Sequence, residues 1–250
     1  MTMVESRTEL FLTPLDLVDQ SQCIEIITKY NLNDFNYIVT PNTDHVIRIN
    51  NTPQLNVVYN SALLSLCDSR IIKILARFCS VKIPQVIPGS DLTRILFEEI
   101  ITQKDRITVI GSDLRSINKL KDNYKLKNIY HYNPPMGFIH DEVEVNKCID
   151  FVHNHPSRFI FIAVGSPQQE ILANQIFIRG ASVGLGFCIG ASINFLTGSE
   201  KRAPKFIQNL ALEWLFRLLQ NPKRLWKRYL VQDTKIFPIF FRCLRQKLME

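Results

Sequence analysis

Several short stretches hold hydroxyl, amide and carboxylate groups where a sheet would present them to a ligand. Asp68 closes the apolar run Leu64-Ser-Leu-Cys. A carboxylate there can take a proton from an attacking hydroxyl, and it can equally cap a following helix. Thr40 and Asn42 follow the run Tyr37-Ile-Val, and their side chains suit either turn chemistry or the positioning of a ligand. Phe159 to Val164 is almost wholly apolar and ends at Gly165, after which Ser166, Pro167 and Gln169 have the spacing of a capping box. A glycine turn into a helix N-terminus leaves free N–H groups that bind phosphates. Gln168, Gln169 and Glu170 put more polar side chains into that first turn than capping needs.

Gly111-Ser112 and the loop Asn133-Pro-Pro-Met-Gly137 end two further apolar runs and offer more backbone N–H groups. No Asp-x-Asp occurs, and His153 and His155 merely flank Asn154. That spacing predicts no metal site, and no other cofactor is expected. Neither G-x-G-x-x-G nor a P-loop is present, which excludes the usual dinucleotide and nucleoside-triphosphate fingerprints.

These groups need a frame. Patterning predicts a strand and turn over 8–18, a helix at 20–30, and a short strand ending at Thr40. A helix then follows Pro41, capped by Thr43 or Asp44, with another at 53–64 and a short strand at Leu64 to Cys67. Helices are expected over Ser69 to Cys79 and 91–103. Beyond that, strands at 106–111, 127–132, 159–164 and 182–188 alternate with helices at 113–122, 141–154 and 167–179. This is the pattern of an α/β protein, a largely parallel Rossmann-like sheet covered by helices on both faces. The ligand should lie outside the strands' carboxyl ends.

An apolar content of 46% and a charged content of 21% exclude a disordered chain. The six scattered cysteines sit mostly in apolar runs, as free thiols of a reducing compartment do. No apolar run approaches ~20 residues, so no membrane-spanning helix is expected. The N-terminus lacks a signal-peptide pattern.

The net charge of +7 is uneven: from Arg217 onward nine Lys or Arg face only Asp233 and Glu250, while residues 1–216 hold 21 of each sign. We therefore divide the chain into a domain over 1–205 and a basic amphipathic helical appendage over 206–250. The appendage reads as a solvated face, a nucleic-acid surface, a subunit interface that makes a homo-oligomer, or an anionic-membrane surface with Trp, Phe and Leu inserted. No base-stacking module is visible to support nucleic acid.

Seven stretches occur in order: Val39-Thr-Pro-Asn-Thr-Asp-His-Val, Cys67-Asp-Ser, Gly89-Ser-Asp-Leu, Val164-Gly-Ser-Pro-Gln-Gln-Glu, Gly190-Ala-Ser-Ile-Asn-Phe-Leu-Thr-Gly, Lys201-Arg-Ala-Pro, and Leu212-Glu-Trp-Leu-Phe-Arg-Leu followed by Asn221-Pro-Lys-Arg. In them the chain resembles the WecG/TagA/CpsF family, glycosyltransferase family 26. The resemblance implies inverting transfer of glucose, N-acetylmannosamine or its uronic acid from a UDP-sugar to a polyprenyl-diphosphate-linked sugar. The work would be done at the cytoplasmic face of the plasma membrane, for a surface polysaccharide or wall polymer. It implies that Asp68 is the base and favours the membrane reading of the appendage. Thr40 and Asn42 would position a substrate. Gly111, Ser112, Gly165, Ser166, Gln169, Glu170, Asn194, Arg217, Arg224 and Arg228 would meet the donor and its diphosphate, and Asn133 and Gly137 the nucleotide. Three positions depart from the family: Val86 stands where an Arg is frequent, Asn194 where an Asp is usual, and Pro-Gln-Gln-Glu where Pro-Lys-Gln-Glu is common. The alternative is a non-catalytic, membrane-associated adaptor that keeps a nucleotide-sugar fold.

Overall fold

The computed structural model describes residues 7–200, 203–204, 206–207, 210 and 212–247, without the side chains of Arg224 and Lys247. Its centre is a six-stranded, wholly parallel sheet. The strands are β3 (Phe35–Val39), β4 (Leu64–Ser65), β5 (Arg106–Gly111), β6 (Asn128–Tyr132), β7 (Phe159–Ala163) and β8 (Gly184–Cys188), in the order β4-β3-β8-β7-β5-β6. The Rossmann-like α/β architecture is therefore as the sequence predicts.

Alternation along each strand makes two cores. In β7, Phe159 and Phe161 face one side, where they meet α1 (Gln20–Lys29), α5 (Gly89–Ile95), α6 (Leu114–Tyr124) and α9 (Ser192–Leu196). Ile160 and Ile162 face the other, with α3 (Leu55–Asn60), α7 (Glu142–Asn154) and α8 (Gln168–Arg179). Burial on both faces is why these strands read as continuous apolar runs.

A third core lies at the β4 edge of the molecule. There the antiparallel hairpin β1 (Arg7–Leu10) and β2 (Thr13–Asp16) packs with α2 (Thr43–Asn51) and α4 (Arg70–Phe78). Arg7 clamps both carboxylate oxygens of buried Asp16 at 2.9 and 2.8 Å, and Asp16 Oδ2 accepts the Ser65 N–H at 2.6 Å. The hairpin is thereby clipped to β4.

The appendage forms α10 (Glu213–Gln220), α11 (Pro222–Lys227), a turn of mixed helical type over 228–235, and α12 (Ile236–Lys247). Ile236 and Phe240 of α12 are buried in the third core, so the appendage packs on the domain. Among the described residues no helix is long and apolar enough to cross a membrane.

Two caps differ from the sequence reading. Asn42, rather than Thr43 or Asp44, caps α2, its side chain accepting the Asp44 N–H at 3.0 Å. Ser166 does not cap α8, which starts at Gln168 with no side-chain cap. The Gly165 carbonyl instead accepts the Gln169 N–H at 2.9 Å, so the backbone satisfies the donor that the serine would have taken.

Candidate active site

A cavity of about 790 Å³ opens at the carboxyl ends of β3, β4, β7 and β8. Its walls include Thr40, Asn42, Asp68, Gly165, Ser166 and Gln169, and the appendage roofs it with Trp214, Arg217, Arg228 and Phe237. The strand order explains the convergence. β3 and β4 run to one side and β7 to the other, with β8 between, so four strand ends surround one crevice.

Asp68 is half-buried on this wall, its backbone N–H held by the Pro41 carbonyl at 2.9 Å. Ser69, not Asp68, caps α4 through Oγ to the Ile72 N–H at 3.2 Å. The capping duty that competed with a catalytic role is thus taken by its neighbour. Asp68 Oδ2 lies 3.4 Å from the Gly89 N–H at the start of α5. Buried Thr40 abuts the same glycine. A Cβ on Gly89 would lie 2.8 Å from Thr40 Oγ1, so only glycine lets the hydroxyl and the helix start approach this closely. Thr43 Oγ1 and Ser69 Oγ, 3.1 Å apart, tie the two strand-end loops together. Asn42 spends its carbonyl oxygen on α2, which leaves its N–H₂ to offer a ligand.

Gln169 is buried and joins two loops. Its Oε1 accepts the Gly190 N–H at 2.8 Å, and its Nε2 donates to Glu170 Oε1 at 2.7 Å. Glu170 lies beneath it, 1% exposed and away from the cavity wall. Asn194 also stands off the wall, though Ser192 and Phe195 border it. Gly111 and Ser112 form a left-handed turn at the end of β5, and Asn133 and Gly137 follow β6. His131 Nε2 donates toward the Gly111 and Ser112 carbonyls at 3.1 and 3.2 Å. These four positions occupy the same sheet edge beyond β7 and do not border the cavity. The Arg224 side chain and the Lys201-Arg202 pair lie outside the described residues.

The structure adds Arg48, Arg70 and His45, which the sequence reading passed over. Asp44 pairs with Arg48 at 2.9 Å and lies 3.7 Å from Arg228, while Arg48 donates to the Ser166 carbonyl at 3.0 Å. One carboxylate on α2 therefore gathers a cation from its own helix and one from the appendage. The i,i+4 spacing of Asp44 and Arg48 was a readable signal, but the long-range partner was not. Arg217 stacks over the Phe195 ring at 5.6 Å, and Arg70 adds a cation to the wall. His45 is buried at the wall, and desolvation lowers its pKa despite the raising effect of Glu170 and Asp44. It is neutral at pH 7. Among the described residues no three His, Cys, Asp or Glu gather as metal ligands.

Asp233 sits under this network. Burial pushes its pKa up to about 6, opposed by Arg228 and Arg48 and helped by Asp44. An unfolded aspartate has lost its proton by pH 5, whereas Asp233 keeps it until about 6, so the docked state binds more protons and docking weakens as pH rises from about 4 to 6. Both tryptophans, Trp214 and Trp226, lie in the appendage. Their fluorescence should report less docking at pH 7 than at pH 5, and Asp233→Asn should flatten that difference. An unchanged pH profile in the variant would count against Asp233 as the titrating group.

The sequence profile of the glycosyl transferase WecG/TagA/CpsF family matches residues 8–250. Two similar proteins are both named N-acetylglucosaminyldiphosphoundecaprenol N-acetyl-beta-D-mannosaminyltransferase. The one from Bacillus spizizenii is 28% identical over 201 residues, 78% of this chain and 74% of its own length. The one from Bacillus subtilis is 30% identical over 180 residues, 69% of this chain and 66% of its own length.

Proposed function

The chain belongs to the WecG/TagA/CpsF family of glycosyl transferases, and from that premise we propose an inverting transfer of a sugar from a UDP-sugar to a polyprenyl-diphosphate-linked sugar. The donor sugar is N-acetylmannosamine, its uronic acid or glucose; the relatives' names favour the first, with N-acetylglucosamine on the lipid. One observation carries the reading: Asp68, Thr40 and Asn42 share a single cavity with Arg217 and Arg228.

Asp68 takes the proton of the acceptor hydroxyl as its oxygen forms the bond to C1. The bond from C1 to the diphosphate oxygen breaks on the opposite face, and UDP leaves with the electron pair. Charge on the departing diphosphate is met by Arg217, Arg228 and the N–H groups around Gly165, whose arginine forks suit paired phosphate oxygens. Gly111, Ser112, Asn133 and Gly137 extend the same edge toward the nucleotide. Val86 borders the cavity and supplies no charge where the family frequently has an Arg, whereas Arg70 brings a cation to that wall; this exchange bears on the donor sugar. The protein works as a peripheral protein on the cytoplasmic membrane face, held by its basic appendage, in assembly of a surface polysaccharide or wall polymer.

A panel of UDP-glucose, UDP-N-acetylmannosamine and its uronic acid, offered with a short-chain polyprenyl-diphosphate sugar, tests the reading. One donor should yield glycosylated lipid and UDP in equal amounts. Release of neither from any donor would favour the adaptor. Because arginines rather than a cation neutralise the diphosphate, turnover should survive EDTA. Loss of turnover restored by Mg²⁺ or Mn²⁺ would show that a metal does that work.

A further inference from the structure

The C-terminal end of α4 meets α12 through Phe78 and Phe240 and through Cys79 and Cys243, and each helix carries exposed apolar residues at i,i+4 spacing. Ile74 and Phe78 stand out from α4, and Phe237 and Phe241 from α12, each between 48% and 66% exposed. The buried ring of Phe240 joins the two ridges, edge-on to Phe78 at 6.0 Å and against Phe241 at 5.3 Å. Phe237 also borders the cavity, so the apolar track starts at the site's mouth. Around it, α4 carries Arg70, Lys73 and Arg77 and α12 carries Arg242 and Arg245; neither helix contains an acidic residue. Clustered exposed aromatics on a soluble surface mark an interaction site, and a rim of cations without acids selects an anionic partner.

We infer that the α4–α12 seam is one docking face for an anionic lipid bilayer, to which the main domain contributes as much as the appendage does. The apolar ridges enter the headgroup boundary and the flanking cations meet lipid phosphates. With Phe237 at the cavity wall, this orientation turns the cavity mouth toward the bilayer, where a lipid-linked diphosphate would present itself. The inference rests on the reading of the appendage as membrane-associated and extends it to α4. It could not be read from charge totals, because the three cations of α4 are hidden in a domain of balanced charge. A contrasting surface lies at α7, where exposed Val143 stands among Asp141, Glu142 and Glu144.

The test is cosedimentation of the full chain with phosphatidylglycerol–phosphatidylcholine vesicles, compared across Ile74→Ser/Phe78→Ser, Phe237→Ser/Phe241→Ser, Arg77→Glu and Val143→Ser. Both double variants should bind about tenfold more weakly or worse, Arg77→Glu should bind more weakly at low salt, and Val143→Ser should match the wild type. Transfer to a water-soluble acceptor should be unchanged in the α4 variants, whose altered residues do not border the cavity. Wild-type vesicle binding by the α4 double variant and by Arg77→Glu would overturn the inference while leaving the appendage as an anchor. A wild-type chain that ignores the vesicles would overturn both. A change in mass by light scattering in the α4 double variant, with vesicle binding intact, would make the seam a contact between two copies and overturn the inference as well.

Discussion

Asp68→Asn should lower turnover by on the order of 10²–10⁴ while leaving the fold and UDP binding nearly intact. Its backbone anchor to Pro41 survives the substitution, and Ser69 still caps α4. An asparagine amide can also point its Oδ1 toward the Gly89 N–H, so that contact persists. The capacity to take a proton is lost. The check is steady-state transfer to a soluble polyprenyl-diphosphate sugar beside calorimetric titration with UDP. Turnover near the wild-type value would remove Asp68 from the chemistry. Loss of UDP binding in parallel would instead make it a residue that holds the site's shape.

Arg228→Ala should cost about 10²–10³ in turnover, or about 2.7–4 kcal/mol of transition-state stabilisation, even on a water-soluble acceptor. Arg228 comes from the appendage but borders the cavity, 3.7 Å from Asp44. Removing it deletes a cation from the diphosphate's surroundings and leaves Asp44 its pair with Arg48. Lysine should restore part of the rate, since it supplies the charge without the fork. UDP affinity separates the two roles: a phosphate contact weakens it, whereas a pure latch between appendage and domain does not. Cutting the chain near Leu210 should abolish activity too, but less informatively. Ile236 and Phe240 are buried in the third core, so truncation would uncover the apolar side chains of Phe11, Leu75 and Ile72. Full activity of Arg228→Ala on a soluble acceptor would refute the coupling of appendage docking to catalysis.

How far the sequence leads depends on the range over which each feature is determined. The strands 106–111 and 159–163 fall where the apolar runs put them, because burial on both faces leaves a continuous signal. Gly180 ends α8 in the left-handed conformation, as a glycine stop predicts. What sequence could not supply is strand order. The motifs at Thr40, Asp68 and Gly165 are far apart in the chain, and only the placement of β8 between β3 and β7 makes them neighbours. The same order leaves Gly111 and Asn133 two and three strands beyond β8. Helical phase was a second gap. Gln169 and Glu170 look equivalent in the sequence, yet Gln169 borders the cavity while Glu170 turns beneath it toward Tyr59 and His45. Ser166 stands at a cap position but does not cap, because the glycine turn lets a backbone carbonyl do that work.

The anomeric configuration of the product tests the central claim most directly. A single displacement driven by Asp68 must invert C1, so an α-linked UDP-sugar should give a β-linked glycoside on the lipid-linked sugar, read from the one-bond C1–H1 coupling by NMR. An α-linked product would mean retention and would contradict a mechanism in which Asp68 acts only as a base.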